Sequence, residues 1–327
     1  MPPSPIVAVT TTARLHFGFL DPSGRSARPF GSFGLSLDQP CTRLTLQHAD
    51  ASDASGPEAA RAARYLADIA ESCGVTHAYR LRMEEAIPPH AGLGSGTQLA
   101  LAVGSAFAAA EGLDLSPLEI AVRLGRGARS GIGIATFEAG GAVLDSGPVN
   151  GALPQLVARV RFPDAWRVLL IFDPDAKGLD GASEVAAFET LPDFSDAEAE
   201  ALGMRIVARA LPALEQSDFA TFCAEVGHLQ ARMGAYFGPL QGGPYTSPRV
   251  ASVLAYLHGE GVTGLGQSSW GPTGFAFAPS EDDGAALLAT ARGHAAASEL
   301  RFALAQGRNE GAGITLGCAA KSVGSGD

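Results

Sequence analysis

The residues best suited to chemistry crowd into one stretch, Pro88-Pro89-His90-Ala91-Gly92-Leu93-Gly94-Ser95-Gly96-Thr97-Gln98. The prolines close an extended segment, the glycines let backbone N–H groups approach one another without Cβ interference, and Ser95-Gly96-Thr97 opens an apolar helix. A helix start of this kind offers unpaired amides and the positive end of its dipole, so it accepts a phosphate group. A capped helix after a flexible turn has the same outline; the density of small polar residues favours an anion site, with Gly92, Gly94, Ser95, Gly96, Thr97 and Gln98 around it.

Further candidates lie elsewhere. In Arg14-Leu15-His16-Phe17-Gly18-Phe19-Leu20-Asp21, strand alternation puts Leu15, Phe17 and Phe19 on one face and Arg14, His16 and Gly18 on the other, so the polar face borders a site or the surface. The loop over 21–34 carries Arg25 and Arg28 among glycines and prolines, as a mobile cover that brings guanidinium groups to an anion would. A second glycine-rich turn, 126–133, holds Ser130 beside Arg126 and Arg129. In a third, 264–274, Gln267, Ser268 and Ser269 can donate to a ligand while Trp270 offers an aromatic wall.

Several chemistries drop out. Neither lysine follows a glycine, which removes the common P-loop, and no Gly-x-Ser-x-Gly elbow exists. The histidines are scattered and the cysteines unpaired, so no zinc spacing is present. A net charge of -11 disfavours nucleic acid, which needs a basic face. Lys177 and Lys321 are the only lysines, so positive charge resides in arginine, suited to bidentate grips on phosphate or carboxylate. Cys41, Cys73, Cys223 and Cys318 read as reduced, mostly buried thiols of a cytoplasmic protein, and no segment has the pattern of a signal peptide or a membrane span.

The elements that must position these groups follow from periodicity. Strands are expected from residue 6 into 21, over 44–48, 77–84, 140–147, 166–172 and 300–305. Helices are expected over 58–73, from 95 to 111, from the Ser116-Pro117 cap to 125, and over 195–214, 217–236, 247–259 and 281–294. A proline-rich composition shift over 148–163 puts a boundary near 155, giving domains 1–155 and 156–327.

These blocks resemble the GHMP kinase superfamily. The phosphate loop, the strand with Arg14 and Asp21, and the late glycine loop carry that likeness, which implies an α+β fold, a two-domain α/β sandwich with a left-handed βαβ unit. Within the superfamily the sequence is similar to the beta-ribofuranosylaminobenzene 5'-phosphate synthases, through residues 14–21, Gly92-Leu93-Gly94-Ser95-Gly96-Thr97-Gln98, Ser130-Gly131-Ile132-Gly133, Gly266-Gln267-Ser268-Ser269-Trp270-Gly271-Pro272-Thr273 and Arg308-Asn309-Glu310-Gly311-Ala312. Gly96-Thr97-Gln98 replaces the small residues that kinases place after the loop serine, and the late loop lacks their Gly-x-Gly-Gly pattern.

The resemblance implies that phosphoribosyl pyrophosphate and 4-aminobenzoate, or 4-hydroxybenzoate, join with loss of pyrophosphate and carbon dioxide on the route to tetrahydromethanopterin. It implies Mg²⁺, with Asp21 as its ligand or as support for the sugar cation, Arg28 as an anion clamp, and His16 as a third candidate catalytic group. Arg14, Ser130 and Arg308 join the loop residues, Gln267, Ser268, Ser269 and Trp270 as substrate contacts, and a homodimer is the expected assembly. An ATP-dependent small-molecule kinase and a non-catalytic module binding a phosphorylated ligand are the alternatives on the same scaffold.

Overall fold

A computed structural model describes residues 5–23, 30–148, 152–178, 187 and 190–317. The β-branched run that opens the chain belongs to β1 (Ile6–Asp21), antiparallel to the long β2 (Phe30–His48), with bulges between Thr12 and Arg14 and between His16 and Gly18. At 19 residues β2 serves two neighbours: residues 43–48 pair with β4 (Tyr79–Glu85), and 33–35 pair with β5 (Ala142–Asp145). The short β3 (Asp53–Ser55) runs parallel to β4 and is joined to it by α1 (Ala59–Ser72), which makes the βαβ unit. β6 (Leu156–Val160) pairs with β5, and β11 (Gly313–Gly317) pairs with β1 on its other side. The second sheet has the order β10 (Arg301–Ala305), β7 (Arg167–Phe172), β9 (Gly274–Ala278), β8 (Leu265–Gln267).

Helices cover these sheets in an α+β arrangement. α2 (Ser95–Glu111) is apolar on all sides and fully buried along most of its length, as expected of a helix wedged between a sheet and other helices. It packs on β1, β2, α1, α3 (Pro117–Arg123) and α4 (Ile132–Ala139). A capping box between Ser116 and Glu119 starts α3. In the second half, α5 (Asp196–Arg205) continues through a π-helical turn (Ile206–Ala210) into α6 (Leu211–Glu215); α7 (Phe219–Gln241), α8 (Pro248–Gly259) and α9 (Glu281–Arg292) follow. Phe17 of β1 meets Phe33, Phe275 and Phe277 at ring separations of 5.2, 5.5 and 5.8 Å, so one core joins the two sheets.

Three expectations change. Residues 30–34 are strand rather than loop, because β2 begins at Phe30; Arg25 and Arg28 lie outside the described residues. The turn at 126–133 ends inside α4, whose glycine at 133 lets α2 come close: a Cβ there would sit 2.9 Å from the Thr97 methyl. The stretch after residue 155 and the C-terminal tail each add a strand to the first sheet, so that sheet draws on both sides of the expected boundary. Cys41, Cys73 and Cys223 are free, and of these only Cys223 is buried; Cys318 lies outside the described residues. No helix among the described residues is long and apolar enough to cross a membrane.

Candidate active site

Two loops meet at the start of α2. Gly92 and Gly94 take left-handed backbone, φ 74° and 78°, and Gly94 is the N-cap without any side-chain cap. Gly92 is required sterically as well, since a Cβ there would lie 2.3 Å from the carbonyl oxygen of Ser268 and 2.8 Å from that of Gly271. Ser268, fully buried, braces the contact: its hydroxyl accepts from the His16 amide at 3.0 Å and donates to the Gly92 carbonyl at 2.7 Å. The Ser269 amide donates to the His16 carbonyl at 3.0 Å, and Arg14 donates from its amide to the Leu93 carbonyl (3.1 Å) and from Nη1 to the Gly92 carbonyl (2.6 Å). Strand β1 and the late loop thus clamp the turn from two sides.

What they leave exposed is the mouth of α2. Gly92, Gly94, Ser95, Gly96 and Thr97 are half-buried, and the first turn of the helix holds no acidic residue. Positive charge surrounds this mouth. The Arg14 side chain runs beside Gly94, with its Nε 3.1 Å from where a Cβ would be, and Arg61 of α1 lies against Gly96, with Nη2 2.5 Å from the same point on that residue. Arg126 approaches from the α3–α4 connection; its guanidinium lies 5.0 Å from the Tyr65 ring centre and donates to the Tyr65 hydroxyl, while Arg61 stands 5.9 Å from the same ring. Uncapped amides, a helix dipole and three guanidinium groups form a socket for a multiply charged anion. Arg61 carried no signal in the sequence, because it precedes Gly92 by about thirty residues and only the packing of α1 on α2 brings it there.

The other helix start nearby is closed. Asp145 at the end of β5 accepts from the Gly131 amide (2.7 Å) and the Ser130 hydroxyl (3.2 Å) with one oxygen, and from the Ser32 and Gly147 amides (3.0 and 2.8 Å) with the other. Burial raises its pKa and these four donors oppose the rise. A carboxylate therefore fills the place at α4 that an anion would take, and Ser130 serves that carboxylate.

Several expected ligand contacts turn inward. Gln98 is fully buried; its amide accepts from the Thr11 hydroxyl and donates to the Gly133 carbonyl at 2.8 Å. Gln267 accepts from the Thr246 amide at 2.7 Å and donates to the Ser269 carbonyl at 3.2 Å. Arg308 donates to the carbonyls of Glu310 and Gly311 at 3.0 and 2.7 Å, fastening the C-terminal segment near the end of α4. Asp21 is buried at the end of β1, and its Oδ1 accepts from the amide and hydroxyl of Ser23 at 3.0 and 2.6 Å. It stands five residues beyond His16, about 16 Å along an extended strand.

His16 occupies a different position from its neighbours. The ring is 3% exposed, lies 4.6 Å from Phe19, and neither nitrogen has a hydrogen-bond partner among the described residues. Burial, reinforced by Arg14, pushes its pKa down to about 3, so the imidazole is neutral. It faces a cavity of about 30 Å³ shared with Phe19, Met233, Phe237, Ser269 and Trp270, where the Trp270 and Phe237 rings meet tilted at 56° with centres 4.4 Å apart. Below pH 6.5 the unfolded chain takes up a proton that folded His16 refuses until about pH 3, so this residue costs stability as pH falls. The cost reaches roughly 2 kcal/mol at pH 5. Urea midpoints at pH 7 and pH 5 should therefore fall less in His16→Gln than in the wild type; equal slopes would show that the ring is charged in the fold.

Known proteins place this geometry. The family model described as "GHMP kinases N terminal domain" matches residues 58–141, and "GHMP kinases C terminal" matches 210–296. The beta-ribofuranosylphenol 5'-phosphate synthase of Archaeoglobus fulgidus is 31% identical over 301 residues, covering 85% of this chain and 90% of that protein. Its namesake from Methanothermobacter thermautotrophicus is 28% identical over 290 residues, covering 81% and 86%. Among solved structures, homoserine kinase from Cytophaga hutchinsonii superposes with a TM-score of 0.65 at 14% identity, over 95% of this chain and 97% of that one. Mevalonate diphosphate decarboxylase from Staphylococcus aureus does so with 0.65 at 15%, over 95% and 98%; at these identities the likeness is one of fold. The chain belongs to the GHMP kinase superfamily and, within it, to the family of the beta-ribofuranosylphenol 5'-phosphate synthases.

Proposed function

We propose that the chain is a decarboxylating phosphoribosyltransferase: phosphoribosyl pyrophosphate and 4-aminobenzoate or 4-hydroxybenzoate give a C-riboside, pyrophosphate and carbon dioxide, on a route to tetrahydromethanopterin. The observation that carries the reading is the uncapped start of α2 ringed by Arg14, Arg61 and Arg126, in a chain whose relatives are named for a ribofuranosylphenol 5'-phosphate. Breaking the bond from the sugar C1 to the pyrophosphate oxygen leaves one positive charge on the ribose and adds one negative charge to the leaving group. Fixed amides and guanidinium groups stabilise the latter as it develops. The arene carbon bearing the carboxylate attacks C1; the carbon–carboxylate bond then breaks, its electron pair restores the ring, and carbon dioxide departs.

The acceptor is placed in the cavity at His16 and Trp270. The cavity has room for a water molecule but is smaller than the roughly 150 Å³ that encloses a benzene ring, so the unbranched Met233 must swing aside. A neutral His16 neither attracts the carboxylate nor supplies a proton, and its nitrogens are suited to the uncharged para substituent. Mg²⁺ keeps most of its water and phosphate ligands, so a single protein carboxylate would suffice to hold it, but Asp21, buried, bonded to Ser23 and about 16 Å along β1 from His16, does not fit an ion at the socket. When bound, the ion neutralises pyrophosphate charge. Arg28, outside the described residues, is the anion clamp of this reading.

Purified protein with Mg²⁺, phosphoribosyl pyrophosphate and carboxyl-labelled acceptor should release labelled carbon dioxide and pyrophosphate in equal amounts. In parallel, the ribose donor should raise the melting temperature and ATP should not. Stabilisation by ATP together with no release of label would replace this reading with a kinase.

A further inference from the structure

At the opposite end of α2, three side chains from three elements converge: His48, the last residue of β2; His77, in the connection before β4; and Glu111, the last residue of α2. His77 Nδ1 lies 3.0 Å from Glu111 Oε2, and His48 Nε2 lies 3.3 Å from Glu111 Oε1. All three donor atoms are within 4.8 Å of one another. Metal–ligand bonds of 2.0–2.1 Å in a tetrahedron place donor atoms about 3.4 Å apart, so two of the separations already match and a rotation of one imidazole closes the third.

The surroundings suit a cation. The Tyr79 hydroxyl donates to Glu111 Oε1 at 2.6 Å and fixes the carboxylate, as second-layer partners do around metals. The negative end of the α2 dipole points here too, with Gly112 closing the helix.

We propose that His48 Nε2, His77 Nδ1 and the Glu111 carboxylate bind a zinc-class divalent cation, with a fourth position open to solvent beside the exposed His77. Two imidazoles and one carboxylate select zinc, cobalt or nickel over magnesium. On binding, His48 Nε2 gives up its 3.4 Å contact with the Ala110 carbonyl. At 1.5 Å per residue the 17-residue helix separates this site from the phosphate socket by about 25 Å, so the metal ties the end of α2 to β2 and β4 without entering the chemistry.

The test uses the full chain after chelator treatment and dialysis. Calorimetric titration with Zn²⁺ should show one equivalent bound with a micromolar or tighter constant. Co²⁺ in its place should develop the visible absorption of a four-coordinate ion. Zn²⁺ at about a hundred times its dissociation constant should raise the melting temperature by several degrees. His77→Ala, at an exposed position that leaves the fold intact, should weaken Zn²⁺ at least tenfold, and the double variant His48→Ala/His77→Ala should abolish one-to-one binding. Absence of saturable binding below 100 μM, or binding undiminished in the double variant, would overturn the proposal and leave the cluster a histidine–carboxylate ion-pair network.

Discussion

Gly92→Ala should abolish pyrophosphate release and destabilise the chain at once. An alanine forced to φ 74° loses roughly 1–2 kcal/mol, and its methyl would press on two backbone carbonyls, at 2.3 and 2.8 Å, that no side-chain rotation can clear. A total near 3 kcal/mol is expected, read as a fall in melting temperature on the order of 4–5 °C for a chain of this size. Gly96→Ala is the informative companion. Its methyl meets the flexible tips of Arg61 and, at 3.7 Å, Arg126, and Ala is the better helix former, so stability should hold or rise by up to about 1 kcal/mol while the Michaelis constant for the ribose donor increases. Melting curves and pyrophosphate release on the two variants separate damage to the turn from damage to its charge; unchanged activity in Gly92→Ala would remove the turn from the chemistry.

Arg14→Ala should lower turnover by about 10²–10³, the usual loss when a fixed donor at a developing anion is removed. The guanidinium neutralises the Gly92 carbonyl, which would otherwise direct its negative end toward the ligand, and adds charge beside Gly94. Arg14→Lys restores the charge as a point without the planar fork, so it should recover only part of the activity. Rates within threefold of the wild type for Arg14→Ala would place the leaving group elsewhere. Because Arg14 also braces the turn, melting curves should accompany the kinetics.

How much of this was legible in the sequence depends on whether the cause was local. The start of α2 at Ser95 was legible from the glycines before it and the apolar run after it, and the start of α3 from Ser116-Pro117, because such signals act over three or four residues. β6 and β11 were missed since both are edge strands with little buried apolar surface, so neither shows the alternation that periodicity detects. The polar groups of Gln98, Gln267 and Ser268 looked like ligand donors; packing decides otherwise, giving each a buried protein partner that only the assembled sheets reveal. Arg61 and the trio His48, His77 and Glu111 have the opposite history: each is unremarkable where it stands in the chain, and spacing rules for zinc cannot see ligands drawn from three elements.

The pairing of β11 with β1 has a consequence for biosynthesis. β1 holds Arg14 and His16, whose backbone bonds to the two loops, while the outer edge of its opening residues, 6–10, has residues 313–317 as its strand partner among the described residues. While the ribosome is still adding the second half, that edge stands bare, a template for stray intermolecular pairing. Chaperone demand during translation should therefore end abruptly when the last strand emerges, and nascent chains stalled before residue 313 should aggregate where those released after 317 do not.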